Sequence, residues 1–357
     1  MSDPAFFDSF MQPLPAPVVS GRAFCFAAIG LDHGHIVDMC RGLLSAGAHL
    51  KWVYDPDPEK VSAFLKTFPG VIPARNEAQI LDDPEIRMVA SAAVPVDRCP
   101  LGVRVMEAGK DFFSDKAPMI SLEQLETARE AVRRTGRKYM VFYGERLNSE
   151  SGIFAGRLIE AGAIGRVLQV IGLGPHRLNV KSRAPWFFER AKYGGILCDI
   201  GSHQAEQYLY YTGETQAQVA RSQIANYAHP EFPELDDFGE AMLVGEKGAT
   251  GYFRVDWFTP DGLSNWGDGR TFILGDKGYI EMRKYVDVGV HQGGDRLILV
   301  DGQAERSINL AGKVGFPFFG QLILDCLNRT ENAMSQRHAF LAAELSLRAA
   351  KQAVRIQ

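Results

Sequence analysis

The chain enters a regular pattern at the stretch FCFAAIGLDHGH, residues 24–35. Its apolar run, 24–29, predicts a short buried strand that ends at Gly30. Apolar residues then recur at helical spacing from Ile36 to Leu44, and Gly47 predicts the end of that helix. A strand, a tight loop and a helix form the first unit of a βαβ fold. The stretch therefore predicts a parallel sheet whose ligands bind beyond the carboxyl ends of its strands.

The same unit repeats to about residue 145, which predicts a Rossmann dinucleotide-binding domain over 23–145. Beyond it, apolar runs joined by the tight turns GEKG (245–248) and GDKG (275–278) predict hairpins. We expect 146–357 to form a substrate-binding and oligomerisation domain: an open, mainly antiparallel sheet with helices on one face. The fold class is therefore α/β plus α+β, and residues 1–22 are predicted to be an N-terminal arm.

Composition excludes several partners and favours one compartment. The formal net charge of the 357 residues is −4, and no basic tract is present, so we expect neither nucleic acid nor a membrane surface as a partner. No apolar run approaches the ~20 residues that span a bilayer. The N-terminus lacks the positive charge and apolar run of a signal peptide. Five scattered cysteines indicate reduced thiols, and we predict a cytoplasmic protein.

Gly30 lies where a dinucleotide pyrophosphate meets a helix N-terminus. The G-x-G-x-x-G fingerprint is incomplete, because Asp32 and His35 stand at the second and third glycine positions. Asp55 follows the second predicted strand, where a carboxylate can accept the ribose hydroxyls and repel a 2′-phosphate. NAD is therefore favoured over NADP. An ordinary strand–helix turn and a solvated acid are the alternatives.

The two histidines of His33-Gly34-His35 could be a pair of metal ligands. Zinc sites in proteins need three or four ligands, and no third ligand follows at a recognisable spacing. We therefore predict no metal site.

The segment GGILCDIGSH, residues 194–203, places Asp199 four residues before His203 in a run that reads as one helix. Positions i and i+4 share a helix face, so carboxylate and imidazole would point together and could move a proton near neutral pH. Gly194, Gly195 and Gly201 would leave room for a close approach. A surface Asp–His pair is the alternative.

Two segments resemble those of the Gfo/Idh/MocA family of oxidoreductases. Asp115-Lys116-Ala117-Pro118 is similar to the family's Glu-Lys-Pro, and 194–203 matches its Gly-Gly-x-x-x-Asp-x-Gly-x-His in full. Of the family's Thr-Pro-Asn-x-x-His segment, which corresponds to residues 94–99, this sequence keeps only Pro95. Arg146 is similar to the arginine at the family's domain junction. The resemblance covers nearly the whole chain from about Phe24 and implies an active site between two domains.

The implied catalytic group is Lys116, Asp199 and His203. With the residues discussed above, the predicted cofactor-binding set is Gly30, Asp32, His33, His35, Asp55, Val94, Pro95 and Lys116. His203 would accept the proton of a secondary alcohol, because its ordinary pKa of ~6.5 suits both directions of the reaction. Lys116 would stabilise developing alkoxide charge.

The loop at 174–181 and the nearby Trp186 combine hydrogen-bond donors with a flat apolar face, a mixture typical of sugar sites. A second cluster has the same character: Trp257, Asp261, Asn265, Trp266, Asp268 and Arg270. The predicted substrate-binding set is Arg146, His176, Arg177, Trp186, Asp199 and His203. We predict an NAD(P)-dependent dehydrogenase acting on a ring hydroxyl or ketone of a sugar, glycoside or cyclitol, in a homo-oligomer (dimer or tetramer). The alternatives are an NAD-dependent glycoside hydrolase that works by transient oxidation and elimination, a non-catalytic nucleotide-binding sensor, and a reductase of unsaturated substrates.

Overall fold

The strand–helix units of the first 145 residues form one parallel sheet. The computed structural model describes residues 4–290 and 292–356, so residues 1–3 of the predicted arm lie outside the described part. The elements are α1 Pro4–Asp8, β1 Cys25–Ile29, α2 His35–Ser45, β2 His49–Tyr54, α3 Pro58–Thr67, β3 Ile72–Pro73, α4 Glu77–Leu81, β4 Ile86–Ser91, α5 Pro95–Glu107, β5 Asp111–Asp115, α6 Leu122–Thr135 and β6 Tyr139–Phe142. The strand order is β3-β2-β1-β4-β5-β6, with every pairing parallel.

Burial and capping explain why these segments take these forms. Every residue of β1, β5 and β6 is buried, as expected for a parallel sheet covered by helices on both faces. Ser121 caps α6, because its Oγ accepts a hydrogen bond from Gln124 N at 3.2 Å. The predicted Rossmann sheet is therefore present, and the carboxyl ends of β1, β2, β4 and β5 lie at one edge.

The second half forms a mixed sheet with helices. Its elements are α7 Gly144–Leu147, α8 Glu150–Glu160, β7 Val167–Pro175, the 3-10 helices Val180–Ser182 and Pro185–Phe188, α9 Arg190–Tyr193, α10 Ile196–Asp199, α11 Gly201–Thr212, β8 Ala217–Ala225, β9 Phe238–Gly245, β10 Thr250–Asp256, β11 Arg270–Gly275, β12 Gly278–Arg283, β13 Val286–Asp287, β14 Gln292–Gly293, β15 Arg296–Asp301, β16 Glu305–Asn309, α12 Phe318–Asn328, α13 Gln336–Gln352 and β17 Val354–Arg355.

Nine strands pair in the order β16-β15-β12-β11-β7-β10-β9-β8-β17. Only the β7–β10 and β8–β17 pairings of this sheet are parallel, which confirms the mainly antiparallel sheet. The hairpins predicted at GEKG and GDKG join β9 to β10 and β11 to β12. The sequence reading missed β8, because polar residues interrupt its apolar alternation where it is half exposed.

The predicted continuous helix through Asp199 and His203 is wrong, because it is interrupted at Ile200. The carbonyl of Asp199 accepts the hydroxyl of Ser202 at 2.8 Å, while His203 N donates to the carbonyl of Ile200 at 3.1 Å. A side chain thus competes for a carbonyl that a regular helix would use, and the turn tightens. The functional pair therefore spans the junction of α10 and α11.

The C-terminal helices join the two halves. Phe319 of α12 packs over Gly42 of α2, where a Cβ would lie 2.4 Å or less from its ring. Helix α13 packs on α11, on β8 and on α6. All five cysteines are buried and free. Within the described residues, none of the helices combines the length and apolar character needed to cross a membrane.

Candidate active site

A cleft of about 410 Å³ lies where the end of β5 faces the α10–α11 junction. Both halves of the chain contribute to its walls. Its lining includes His33, His35, Asp38, Lys116, Phe142, Glu145, His176, Arg177, Arg183, Asp199, His203, Trp257, Trp266 and Tyr285. The predicted catalytic group therefore shares one cleft.

Lys116 and Asp199, 83 residues apart in sequence, form a buried ion pair. Lys116 Nζ donates to Asp199 Oδ1 at 2.5 Å. The backbone that carries Lys116 is held by the buried Arg98, whose guanidinium donates to the carbonyls of Lys116 and Ala117. A lysine at the end of a parallel strand is thus fixed over the edge where ligands of this fold bind.

His203 is buried beside this pair, and its Nδ1 makes no hydrogen bond with any described residue. Burial, the positive charge of Lys116 and the imidazoles of His35 and His176 hold the pKa of His203 well below its usual range. The imidazole is therefore neutral near pH ~7, which is the form that accepts a proton. Its unsatisfied nitrogen leaves a hydrogen bond for a ligand to complete.

The two glycines before α10 allow the predicted close approach, and the groups that approach are side chains of the protein. Gly194 and Gly195 have φ of 86° and 95°, in the left-handed region that favours glycine. A Cβ on Gly194 would lie 2.8 Å from Ile120, and one on Gly195 would lie 2.9 Å from a carboxylate oxygen of Asp236. Protein side chains therefore fill this space, and the glycines set the approach of α10 that brings Asp199 to Lys116.

The first strand–helix turn has features that suit a dinucleotide. Gly30 has φ of 78°, and a Cβ there would lie 2.6 Å from the Cβ of Ala93. At the end of β2, the carboxylate of Asp55 accepts from Leu31 N at 2.7 Å and from Asp57 N at 2.9 Å. Asp55 therefore ties the loop after β1 to the end of β2, and its remaining lone pairs could accept ribose hydroxyls.

Asp32, at the second glycine position, is neutralised by a lysine that the sequence reading overlooked. Lys60 Nζ donates to Asp32 Oδ1 at 2.6 Å and lies 3.9 Å from Asp55 Oδ1. The other oxygen of Asp32 accepts from Val94 N at 3.2 Å, just before Pro95 opens α5. Because Lys60 offsets the negative charge of Asp32, the loop remains compatible with a pyrophosphate. Together with Gly30 and Asp55, these residues fit a nicotinamide dinucleotide.

His33 and His35 meet Asp115, the third group that the spacing of the sequence did not reveal. Asp115 lies 2.9 Å from His35 Nδ1 and 3.4 Å from His33 Nδ1, and these atoms are close enough to hold a metal ion. Asp115 also pairs with Arg98 at 3.1 Å. Burial raises the pKa of Asp115, but the interactions with His35 and Arg98 outweigh burial and hold that pKa well below its usual range. The buried guanidinium of Arg98 already balances the negative charge of Asp115, so this cluster needs no metal cation for charge balance.

The predicted substrate residues fall into two groups. His176 and Arg177 line the cleft, whereas Arg146 and Trp186 do not. The guanidinium of Arg146 is buried in an ion pair with Glu206, with Nε lying 2.8 and 2.9 Å from the two carboxylate oxygens. Trp186 packs on Phe187, with ring centres 5.8 Å apart.

The cleft also contains residues that the predicted sets omit, namely Glu145, Arg183, Trp257, Trp266 and Tyr285. Trp266 packs between the rings of His176 and Tyr285, with both pairs of ring centres 4.5 Å apart, and Trp257 lies 5.5 Å from His176. Trp257, Trp266 and Tyr285 thus form an aromatic wall. The carboxylate of Glu145 lies 3.3 Å from the buried ammonium of Lys284. Trp257 and Trp266 belong to the cluster between residues 257 and 270 whose composition is typical of sugar sites.

Comparison with known proteins gives a family match and several relatives. Residues 154–281 match the GFO/IDH/MocA C-terminal domain family. Levoglucosan dehydrogenase of Pseudarthrobacter phenanthrenivorans is 26% identical over 211 residues, covering 58% of this chain and 53% of that protein. The scyllo-inositol 2-dehydrogenase (NAD(+)) of Bacillus subtilis is 25% identical over 237 residues, 66% of each chain. The chain thus spans between about half and two thirds of these two relatives.

Among solved structures, a proposed oxidoreductase from Erwinia carotovora atroseptica is 51% identical. It superposes with a TM-score of 0.91 and covers 94% of this chain and 100% of its own. The fold is therefore shared over nearly the whole described chain.

Proposed function

The chain belongs to the Gfo/Idh/MocA family of oxidoreductases, and we propose that it is an NAD-dependent dehydrogenase. Its reaction would move hydride between nicotinamide and a ring hydroxyl or ketone of a sugar, glycoside or cyclitol. The observation that carries this proposal is the buried Lys116–Asp199 pair beside the neutral His203 in one cleft. The names of two relatives, a levoglucosan dehydrogenase and an inositol dehydrogenase, support it.

The residues that would hold the cofactor are Gly30, Asp32, His33, His35, Asp55, Val94, Pro95 and Lys116. A bound nicotinamide would supply the hydride acceptor. The carboxylate of Asp55 favours NAD over NADP, because it would repel a 2′-phosphate. Lys60 Nζ lies 3.9 Å from Asp55 Oδ1 and would weaken that repulsion.

Side chains of the cleft would accept the proton of the substrate hydroxyl and stabilise the charge on its oxygen. An imidazole nitrogen of His203 would take the hydroxyl proton, since the ring is neutral and lines the cleft. The ammonium of Lys116 would stabilise the negative charge that develops on the oxygen. Asp199 would hold Lys116 through their ion pair and accept a substrate hydroxyl. The aromatic wall of Trp257, Trp266 and Tyr285 would exclude water and cover the apolar face of a sugar.

The proposal is tested by incubating the purified protein with NAD or NADP and a panel of sugars, inositols and glycosides. A dehydrogenase accumulates NADH with at least one alcohol. A glycoside hydrolase that re-reduces its intermediate would instead release sugar without net NADH. A sensor would bind the nucleotide and do neither. We propose a cytoplasmic homo-oligomer as the working form, in keeping with five free buried cysteines.

A further inference from the structure

Arg183 lines the cleft, and the reaction described above does not use it. It follows the 3-10 helix Val180–Ser182, and its guanidinium lies 4.4 Å from the ring centre of Phe187 and 4.9 Å from that of Trp257. Its Nε donates to the carbonyl of Leu178 at 2.9 Å. The two cation–π contacts and this hydrogen bond hold the planar group beside Trp257 at the edge of the cleft.

The other charged side chains of the lining have recorded charge partners. Lys116 pairs with Asp199, Glu145 with Lys284, Arg177 with Asp261 at 3.5 Å and Asp38 with Arg41 at 4.0 Å. Within the described residues, no carboxylate is recorded within 4.0 Å of the Arg183 guanidinium. The half-buried guanidinium of Arg183 therefore lines the cleft without a recorded ion pair, and Asp199 is the acid whose charge acts on it from a greater distance.

We propose that the substrate carries a carboxylate and that Arg183 binds it. A guanidinium forms two parallel hydrogen bonds with a carboxylate, and they are stronger when both groups are shielded from water. The substrate class is then a polyhydroxy carboxylate, such as a uronate or an aldonate, with its ring or chain against Trp257 and its reacting hydroxyl near Lys116. This inference rests on the proposed function for the identity of the cleft, and it names the substrate of that same site.

The test compares acid and neutral members of matched pairs, glucuronate with glucose and galacturonate with galactose. The wild type is expected to give a higher kcat/KM for the acid of at least one pair. Arg183→Met should lower kcat/KM for that acid by about tenfold to a hundredfold, the usual effect of losing a charged hydrogen bond, and change the neutral sugar less than about threefold. Arg166→Met is the matched control, because Arg166 is exposed at the start of β7.

A wild type that prefers the neutral sugars, or an Arg183→Met variant with an unchanged acid-to-neutral ratio, would overturn the proposal. Calorimetric binding of glucuronate and glucose to the NADH-loaded protein gives a second readout that needs no turnover. Tighter binding of glucuronate that Arg183→Met abolishes supports the carboxylate site, even when no NADH forms and the dehydrogenase proposal fails. Equal binding of the two sugars, or equal binding by both variants, contradicts it.

Discussion

His203 would carry the proton of the proposed reaction, and its surroundings set its charge. Burial lowers its pKa most, and the ammonium of Lys116 lowers it next. Replacing Lys116 with methionine removes a positive charge and leaves the carboxylate of Asp199 unpaired. Both changes favour the imidazolium, so Lys116→Met should raise the pKa of His203.

An NMR titration of the His203 ring measures this shift, with Lys51→Met as a control, because Lys51 pairs with Asp83 and Glu85 outside the cleft. The wild-type ring should protonate only below its ordinary range near ~6.5. An unchanged or lower pKa in Lys116→Met would show that the charge of Lys116 does not reach the imidazole.

The predicted preference for NAD over NADP depends on Asp55. Its carboxylate lies at the end of β2, with Lys60 Nζ 3.9 Å away. Asp55→Ser should remove the repulsion of a 2′-phosphate and leave Lys60 near the position that the phosphate would occupy. The ratio of kcat/KM for NAD to that for NADP is therefore expected to fall by about tenfold or more. Glu59→Gln, which removes an exposed acid nearby, should leave the ratio unchanged; an equal change in both variants would refute a specific role for Asp55.

At single residues, the sequence predicts strand ends better than side-chain partners. Lys116 follows a strand, and Asp199 and His203 share a recognisable segment, so their meeting in one cleft could be anticipated. The pairing of Asp32 with Lys60 and the stacking of Arg183 on Trp257 depend on side-chain directions between distant segments. No spacing in the sequence encodes those directions.

At the scale of elements, the buried Arg146–Glu206 pair links α7 to α11. Arg146→Met leaves the Glu206 carboxylate buried without its guanidinium and should cost about 3–5 kcal/mol of unfolding free energy. The double variant Arg146→Met with Glu206→Met should recover part of this loss. Urea denaturation of both variants and the wild type measures the difference. An Arg146→Met protein as stable as the wild type would contradict the prediction.

The Arg146–Glu206 pair should also make the free energy of unfolding depend on pH. Burial raises the pKa of Glu206, but Arg146 and His338 lower it to about 2, below its ordinary value of 4.5. Stability from a lowered carboxyl pKa is present above the ordinary value and is lost as the pH falls towards the folded value. The stability gap between the wild type and Arg146→Met should therefore narrow as the pH falls from 4.5 to about 2. A gap that stays constant would exclude ionised Glu206 as its source.

Helices and strands with one clear face were predictable, and interrupted ones were not. The hairpins at GEKG and GDKG follow from turn chemistry and alternation. The break at Ile200 depends on the Ser202 hydroxyl capturing a backbone carbonyl, which apolar periodicity cannot reveal.

At the scale of the molecule, the second sheet exposes an apolar surface. Phe272 and Leu274 of β11, Tyr279 of β12 and Met242 of β9 are 39%, 46%, 40% and 50% exposed. A contiguous apolar face of this kind commonly marks an interface, which suits the predicted homo-oligomer. Phe272→Glu with Leu274→Glu should convert the oligomer to monomers without unfolding it, since both side chains point outward.

Light scattering during size-exclusion chromatography measures the mass. Ile72→Glu, a change at an equally exposed apolar residue of the first domain, is the control and should leave the mass unchanged. A wild type that elutes as a monomer, or a double variant with the wild-type mass, would contradict an interface on this face.

The proposed reaction is tested most directly by NADH absorbance, with wild type and His203→Asn assayed side by side on NAD and the sugar, uronate and inositol panel. We predict that the wild type forms NADH with at least one compound. His203→Asn should be slower by ~10²–10⁴, with unchanged binding of NADH and an unchanged Tm. A wild type that binds NAD but forms no NADH with any compound, or a His203→Asn variant that keeps the wild-type rate, would contradict it.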